Sequence, residues 1–427
     1  ADGADPHAAA PHRSRHRASL TGGRRRAGRL RELLVSGLVD SFGLALGWTL
    51  FNLVATQRGG LAMAALCNAA MLLGVVLSAP VTGWLARHLH GRILLYLAGA
   101  TEATLRVATL AALLAGVDGR LVAAGVTLMH VAAYAGFAAM RAEVAAVDAR
   151  PRAMTRYALS IAAVEAAGAS VAALLPLHRV ALAAVFVVYG LSLLPTILAA
   201  RRSRVLSSPR NAPRALPVDR RDGVERPTRV ERRRAETAAK TAGLPFAVLA
   251  AGSGVMLLAA GPTLLSVALA TELHGRHAVA GAAAAFSAGC LLSSWAVDRA
   301  GRLRLPAPVL WPLWGVGMLA GWLLAPAHVA GLFLAQFLSG LSMTAFEGGM
   351  DARLARRARP GTVTTVLAWS ASTRALGSAI AVRTLPALVA APAVGTVAGI
   401  AAAALALVSL GALARTRLRA GRTELPA

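Results

Sequence analysis

The sequence predicts an all-α integral membrane protein whose twelve transmembrane helices form two pseudo-symmetric six-helix bundles. Three observations carry that expectation. Of the 427 residues 56% are hydrophobic, and they gather in blocks of about 20, the length that crosses a bilayer as a helix. The basic residues lie between these blocks and crowd onto alternate connections. Short patterns at the ends of blocks also recur about half a chain apart.

The blocks are read as spans at about 33–56, 61–86, 92–116, 121–147, 154–177, 180–200, 244–270, 277–297, 305–325, 328–350, 362–388 and 392–414. Each is expected to be helical, because a backbone in lipid must satisfy its own hydrogen bonds. Many blocks are rich in Ala and Gly rather than Leu, and such small residues let neighbouring helices approach closely. Residues 33–200 and 244–414 are expected to be the two bundles. Residues 1–32 read as a disordered basic tail, 201–243 as a polar, Arg- and Pro-rich linker, and 415–427 as a C-terminal tail.

Charge predicts the orientation. Of the 45 Lys and Arg residues, 38 fall on the tails and the even-numbered connections; four (Arg58, Arg120, Arg179 and Arg276) fall on the other side. Arg106, Arg374 and Arg383 lie within spans. By the positive-inside rule the linker and both termini are cytoplasmic in a multi-pass plasma-membrane protein.

The repeats support a duplicated chain. Ser294-Trp295-Ala296-Val297-Asp298-Arg299-Ala300-Gly301-Arg302-Leu303-Arg304 ends the eighth span, and Gly83-Trp84-Leu85-Ala86-Arg87-His88-Leu89-His90-Gly91-Arg92 ends the second, about 211 residues earlier. Pro151 and Pro360 both precede a span and are 209 residues apart, and at the same offset Glu165 and Gly168 match Arg374 and Gly377. Paired halves of this kind are a feature of secondary transporters, which bind substrate near the midplane where the halves meet.

Several function classes are excluded. The net charge of +26 lacks the aromatic interleaving and reading motifs of a nucleic-acid partner. Cys67 and Cys290 both lie in apolar runs, so neither a disulfide framework nor a metal cluster is indicated. The basic N-terminus lacks the apolar core and cleavage site of a signal peptide. There is no phosphate-binding loop, hence no built-in ATP hydrolysis. No constellation marks an enzyme or a cofactor site.

With its six-plus-six pattern, long central loop and repeated junction motif, the chain resembles the major facilitator superfamily over residues 33–414. The second motif carries the resemblance at Asp298, Arg299, Gly301 and Arg302, with Ser294 in the leading Gly position. The first keeps Gly83 and Arg92 but has Arg87 where the acid belongs. In the family this acid helps latch the cytoplasmic side in one state. The Arg-x-x-x-Gly pattern of helix 4 is absent: Gln336-Phe337-Leu338-Ser339-Gly340 keeps its shape in the second half with Gln for Arg, and the first half has His130. The drug-exporter Gly-Pro signature of helix 5 is absent too, Gly168 being followed by Ala169.

Charged groups within spans are costly and usually turn toward a cavity or a partner. Asp40 lies in span 1, which lines the cavity in the family, and an acid there can carry a proton or bind a cationic substrate; the alternative is a pair with a nearby Arg. Glu165 and Arg374 are expected near mid-membrane on equivalent faces, flanking a substrate or gate, or else each satisfied within its own bundle. Glu102 and Arg106, spaced i, i+4, can neutralise one another. His130 is a candidate proton carrier, since imidazole titrates near neutrality, and Gln336 a candidate substrate hydrogen-bonding group. Arg383 is expected to snorkel, and Asn68 and Cys67 to make helix contacts. Arg141, Glu143, Glu347, Asp351 and Arg353, with Asp298 and Arg299, are candidates for ion pairs closing a cytoplasmic gate, the alternative being solvated helix ends.

The resulting expectation is a secondary active transporter of a small organic compound. It works by alternating access in the lipid bilayer and exports by proton antiport, with small-molecule substrate and protons as partners. The alternative is a lipid-handling or scaffolding membrane protein that keeps the bundle without ion coupling.

Overall fold

The computed structural model describes residues 11–89, 91–147, 151–176, 179–201, 246–303, 305–357 and 363–423. The first half contains α1 (Pro11–His88), α2 (Gly91–Ala115), α3 (Gly119–Val147), α4 (Pro151–Leu174), α5 (Arg179–Leu191) and α6 (Leu194–Ala200). The second contains α7 (Phe246–Ala259), α8 (Gly261–Leu264), α9 (Ser266–His274), α10 (Ala278–Arg302), α11 (Ala307–Ala320), α12 (Val329–Arg357), α13 (Val363–Leu388) and α14 (Val394–Thr423). Among the described residues there is no strand. The twelve spans are these helices taken in order, with three local departures.

Spans 1 and 2 are both contained in α1, which is interrupted at Gly59 and Gly60. Gly60 has φ 58° and ψ −156°, a conformation that needs a residue without Cβ. Span 6 is α5 plus α6, broken just before Pro195, and span 7 is α7, α8 and α9, broken around Pro262. Proline supplies no backbone N–H and pushes the preceding turn out of register, so both breaks follow from the sequence. Span 3 ends in a Schellman cap: Gly116, at φ 79°, donates to Leu113 and Val117 to Ala112. Asp118 then opens span 4 by accepting the backbone N–H of Arg120 at 2.8 Å.

The N-terminal stretch departs from expectation. Helix α1 already begins at Pro11, inside the tail expected to be disordered, and α14 runs on to Thr423 through the expected C-terminal tail. Ala and Arg are among the best helix formers, so each tail can extend the span it abuts. The linker at 201–243 lies, after Arg201, outside the described residues.

The halves pack in the same way internally. A Cβ on Gly168 of span 5 would lie 2.6 Å from the carbonyl oxygen of Phe42 in span 1. A Cβ on Gly377 of span 11 would meet the carbonyl oxygen of Ser253 in span 7 even more closely. The matched glycines therefore let equivalent helix pairs touch backbone to backbone. Span 1 also packs on span 4 through Leu46, Leu50, Val126 and Met129, in a core closed by Val185 and Tyr189 of span 6. The core of the second half continues into the first through Leu53, Leu61, Ala64, Ala65, Leu72, Val75 and Ala173. This apolar contact runs from the face away from the basic connections to the middle of span 2.

Candidate functional site

The first half holds a buried ion cluster around Arg106. Glu102 and Arg106 share one face of span 3, as their spacing predicts; Asp40 reaches them from span 1, and Tyr189 and Ser192 from span 6. Arg106 is completely buried. Its Nη2 donates to Asp40 Oδ1 at 2.7 Å and also to Glu102 Oε1. Its Nε donates to the same Glu102 oxygen at 3.0 Å, and Nη1 to Ser192 Oγ at 2.9 Å. The guanidinium also lies 5.2 Å from the centre of the Tyr189 ring. One guanidinium thus ties spans 1, 3 and 6 together.

The charge of the cluster is unequal. Two carboxylates face one guanidinium, so with both acids ionised one negative charge is left over in a site where uncompensated charge is expensive. The sequence marks Glu102–Arg106 as a pair and Asp40 as a separate candidate; the structure brings the three together. Tyr189, Ser192 and Thr196 of span 6 were not singled out, and their only signal in the sequence is polarity within an apolar span.

Glu165 and Arg374 do not bond to one another. Glu165 is exposed and, among the described residues, makes no hydrogen bond or ion pair. It lies within electrostatic reach of Asp40, and Cys290 of span 8 is within reach of both Glu165 and Glu347. Acids of both halves therefore border the same region. Arg374 is buried within the second half: Nη1 donates to Asp351 Oδ1 at 2.7 Å and to Ser370 Oγ at 2.6 Å, and Nη2 to Asp351 Oδ2 at 3.3 Å. Ser370 in turn donates to Asp351, and Glu347 stands 3.5 Å from Arg374 Nε. The second half thus also sets two acids against one arginine.

The remaining candidates separate. His130 is buried, its Nδ1 2.9 Å from the Val126 carbonyl and its ring edge-on to Trp48; it lies within electrostatic reach of Arg106 but makes no hydrogen bond to that cluster among the described residues. Gln336 is buried, and its amide nitrogen finds no partner among the described residues. Asn68 donates to Asn52 Oδ1 at 2.6 Å, a contact between spans 2 and 1. Glu347 and Asp351 face Arg374, and Arg353 lies 5.9 Å from the centre of the Trp311 ring. Gly83, Arg92, Asp298, Arg299, Gly301 and Arg302 are all exposed, and Asp298 and Arg299 make no ion pair among the described residues. The side chains of Arg87, Arg141 and Glu143 lie outside the described residues. Arg383 is exposed on span 11.

Hydrogen bonds join the halves at the face away from the basic connections. Arg276, between spans 7 and 8, donates through Nε to the Ala173 carbonyl at 3.1 Å and through Nη2 to the carbonyls of Ala172 and Leu175. These are the unpaired carbonyls at the end of span 5. Arg58 does the same for span 3, donating to Leu114. Two of the four arginines on this sparsely charged face are therefore helix C-caps, favoured by the negative end of the helix dipole.

No family model matches the chain, and no curated protein matches it in sequence. Solved structures share its fold. The peptide transporter POT, in a mutant form, superposes with a TM-score of 0.65 at 13% identity, covering 92% of this chain and 95% of that one. The nucleoside transporter NupG gives 0.61 at 10% identity, covering 90% and 98%. A bacterial homologue of the iron transporter ferroportin, in an inward-facing state, gives 0.59 at 16% identity, covering 90% and 97%. With the helix order, the duplicated halves and the junction motifs already described, these matches make the chain a multi-pass membrane protein with the twelve-helix fold of the major facilitator superfamily.

Proposed function

We propose that the protein is a secondary active transporter that exports a small organic compound across the plasma membrane by alternating access, driven by proton entry. The basic face, with both termini, is cytoplasmic in this reading. The observation that supports it best is the Arg106 cluster: a buried carboxylate, Glu102, and a part-buried one, Asp40, on one guanidinium, in the span 1 and span 3 wall of the first bundle. Such a site reaches neutrality by taking up one positive charge, which is what a coupling site must do and release in each cycle. Span 1 carries Asp40 and is also the helix on which span 5 closes through Gly168. Loading the cluster therefore acts on a helix that the bundle must move.

The face held by Arg276 is the extracellular gate in this reading, and the exposed Asp298–Arg302 junction is the cytoplasmic latch in its released form. The test is cellular accumulation of labelled amphiphiles and metabolites in cells with the intact protein or with Asp40→Asn, at equal membrane abundance. Each is measured with and without a protonophore. Proton-driven export predicts lowered accumulation with the intact protein alone, restored by the protonophore. Equal export by Asp40→Asn would refute the coupling role of the cluster.

A further inference from the structure

Beside the Arg106 cluster lies a small cavity bordered by Gly37, Asp40 and Ser41 of span 1, Gly99 and Glu102 of span 3, and Thr196 of span 6. Its oxygens are not all accounted for by the cluster. Arg106 engages Oδ1 of Asp40 and Oε1 of Glu102, which leaves the second oxygen of each carboxylate without a bond to the guanidinium. Thr196 is 4% exposed, and its hydroxyl has no hydrogen-bond partner among the described residues. A buried hydroxyl without a partner is uncommon in a folded protein and calls for an occupant.

The donors specify the class of that occupant. Carboxylate and hydroxyl oxygens are hard ligands that suit alkali and alkaline-earth ions rather than transition metals. Among the described residues there is no group of three or more His, Cys, Asp or Glu side chains that could hold a metal ion. The charge is also specific. With Asp40 and Glu102 ionised and Arg106 protonated, the cluster lacks one positive charge: a monovalent cation balances it, and a divalent one overshoots.

We propose that this cavity binds one sodium ion between Asp40, Glu102 and Thr196. The proposal rests on the cation-coupled reading of the same cluster and deepens it, since sodium and the proton then compete for one vacant charge. Thr196 supplies a neutral ligand that a proton does not need, and so its substitution separates the two cations. Arg106 fixes the two carboxylates from the side away from the ion.

The experiment is equilibrium binding of radioactive sodium to the full chain in lipid nanodiscs, in mildly alkaline buffer, with choline holding the ionic strength. The intact protein is expected to bind saturably with one ion per chain. Thr196→Val is expected to weaken binding roughly tenfold, the scale of one lost polar contact, and Asp40→Asn to abolish it. Thr373→Val, whose hydroxyl bonds its own helix, is expected to bind as the intact protein does. Thr196→Val carries the test if Asp40→Asn fails to fold. No saturable binding by the intact protein, or binding unchanged by Thr196→Val, overturns the proposal. Proton-driven export without sodium binding defeats this proposal and leaves the transport reading standing; sodium binding without transport of any compound does the reverse.

Discussion

The Arg276 guanidinium, in the second half, donates to the carbonyl oxygen of Ala173, in the first half, across 3.1 Å. With the Ala172 and Leu175 carbonyls, one side chain satisfies the end of span 5 and joins the two bundles. Ser170 adds a bond of 3.4 Å from the same span to the Ala280 carbonyl in span 8. The acceptors of Arg276 are carbonyls that a helix leaves unpaired at its C-terminus, so its bonds form without breaking any others.

Removing this cap should release the face it closes. Hydrogen bonds from a charged donor contribute about 1.5–3 kcal/mol each, net of water. Loss of the set in Arg276→Ala is expected to shift the closed-to-open ratio by at least about tenfold. Distances between spin labels placed on spans 5 and 8 at that face should lengthen in Arg276→Ala, and Arg276→Lys should restore them only partly. An unchanged distribution in Arg276→Ala would mean that the apolar contacts through Leu61, Ala64 and Ala173 hold the halves by themselves.

Arg106→Met leaves Asp40 and Glu102 facing one another with no cation between them. Breaking a buried pair by removing one partner costs about 3–5 kcal/mol, so this variant should unfold well below the intact protein in detergent. Arg106→Lys should also be destabilised, because an ammonium cannot reproduce bonds from Nε, Nη1 and Nη2 in one plane. Adding Glu102→Gln to Arg106→Met should recover part of the loss by removing the repulsion. A double variant no more stable than the single one would show that the two acids do not repel.

The architecture was legible because its determinants are local and repeated. Block length, arginine placement and the 209-residue offset of Gly168 and Gly377 all report on helices or on duplication, and the structure places both glycines in the same contact. The Arg106 cluster was only half legible. Glu102 and Arg106 announce each other by i, i+4 spacing, but the partnership with Asp40 and Ser192 depends on which faces of spans 1, 3 and 6 meet, and no spacing along the chain encodes that. For the same reason Arg374 gave no sign in the sequence that Asp351, 23 residues away on span 10, holds it within its own half. Pro195 and Pro262 account for the breaks in spans 6 and 7, which the block lengths alone did not show, and the helical continuation of the tails was masked by their charge.

The matched glycines make a paired prediction. Gly168→Ala and Gly377→Ala each force a methyl group against a neighbouring backbone carbonyl, and overpacking of this kind costs about 1–3 kcal/mol. Gly377→Ala should be the worse of the two, because its approach to Ser253 is closer and the serine hydroxyl crowds it as well. Gly348→Ala, with nothing within 4 Å of the added carbon, should be neutral or slightly stabilising. Thermal unfolding of the three variants in one detergent checks the order, and an equal loss in all three would reject the packing explanation.

The acids around Arg374 are not equivalent, and this separates their expected effects. Asp351 accepts from both terminal nitrogens of Arg374 and also from Ser370, whereas Glu347 approaches Arg374 Nε at 3.5 Å. Bidentate pairs are the stronger class, and a long, partly exposed pair contributes about 0–1 kcal/mol. Asp351→Asn is therefore expected to destabilise the second bundle more than Glu347→Gln does, and to free Ser370. The same two variants probe the region between the halves, because Cys290 of span 8 is near Glu347 and Glu165. Labelling of Cys290 by a negatively charged thiol reagent should rise in Glu347→Gln, where a negative charge within reach of the thiol is lost. It should rise less in Asp351→Asn, whose carboxylate is directed at Arg374. Equal labelling in both variants and the intact protein would place Glu347 outside the wall that Cys290 shares with Glu165.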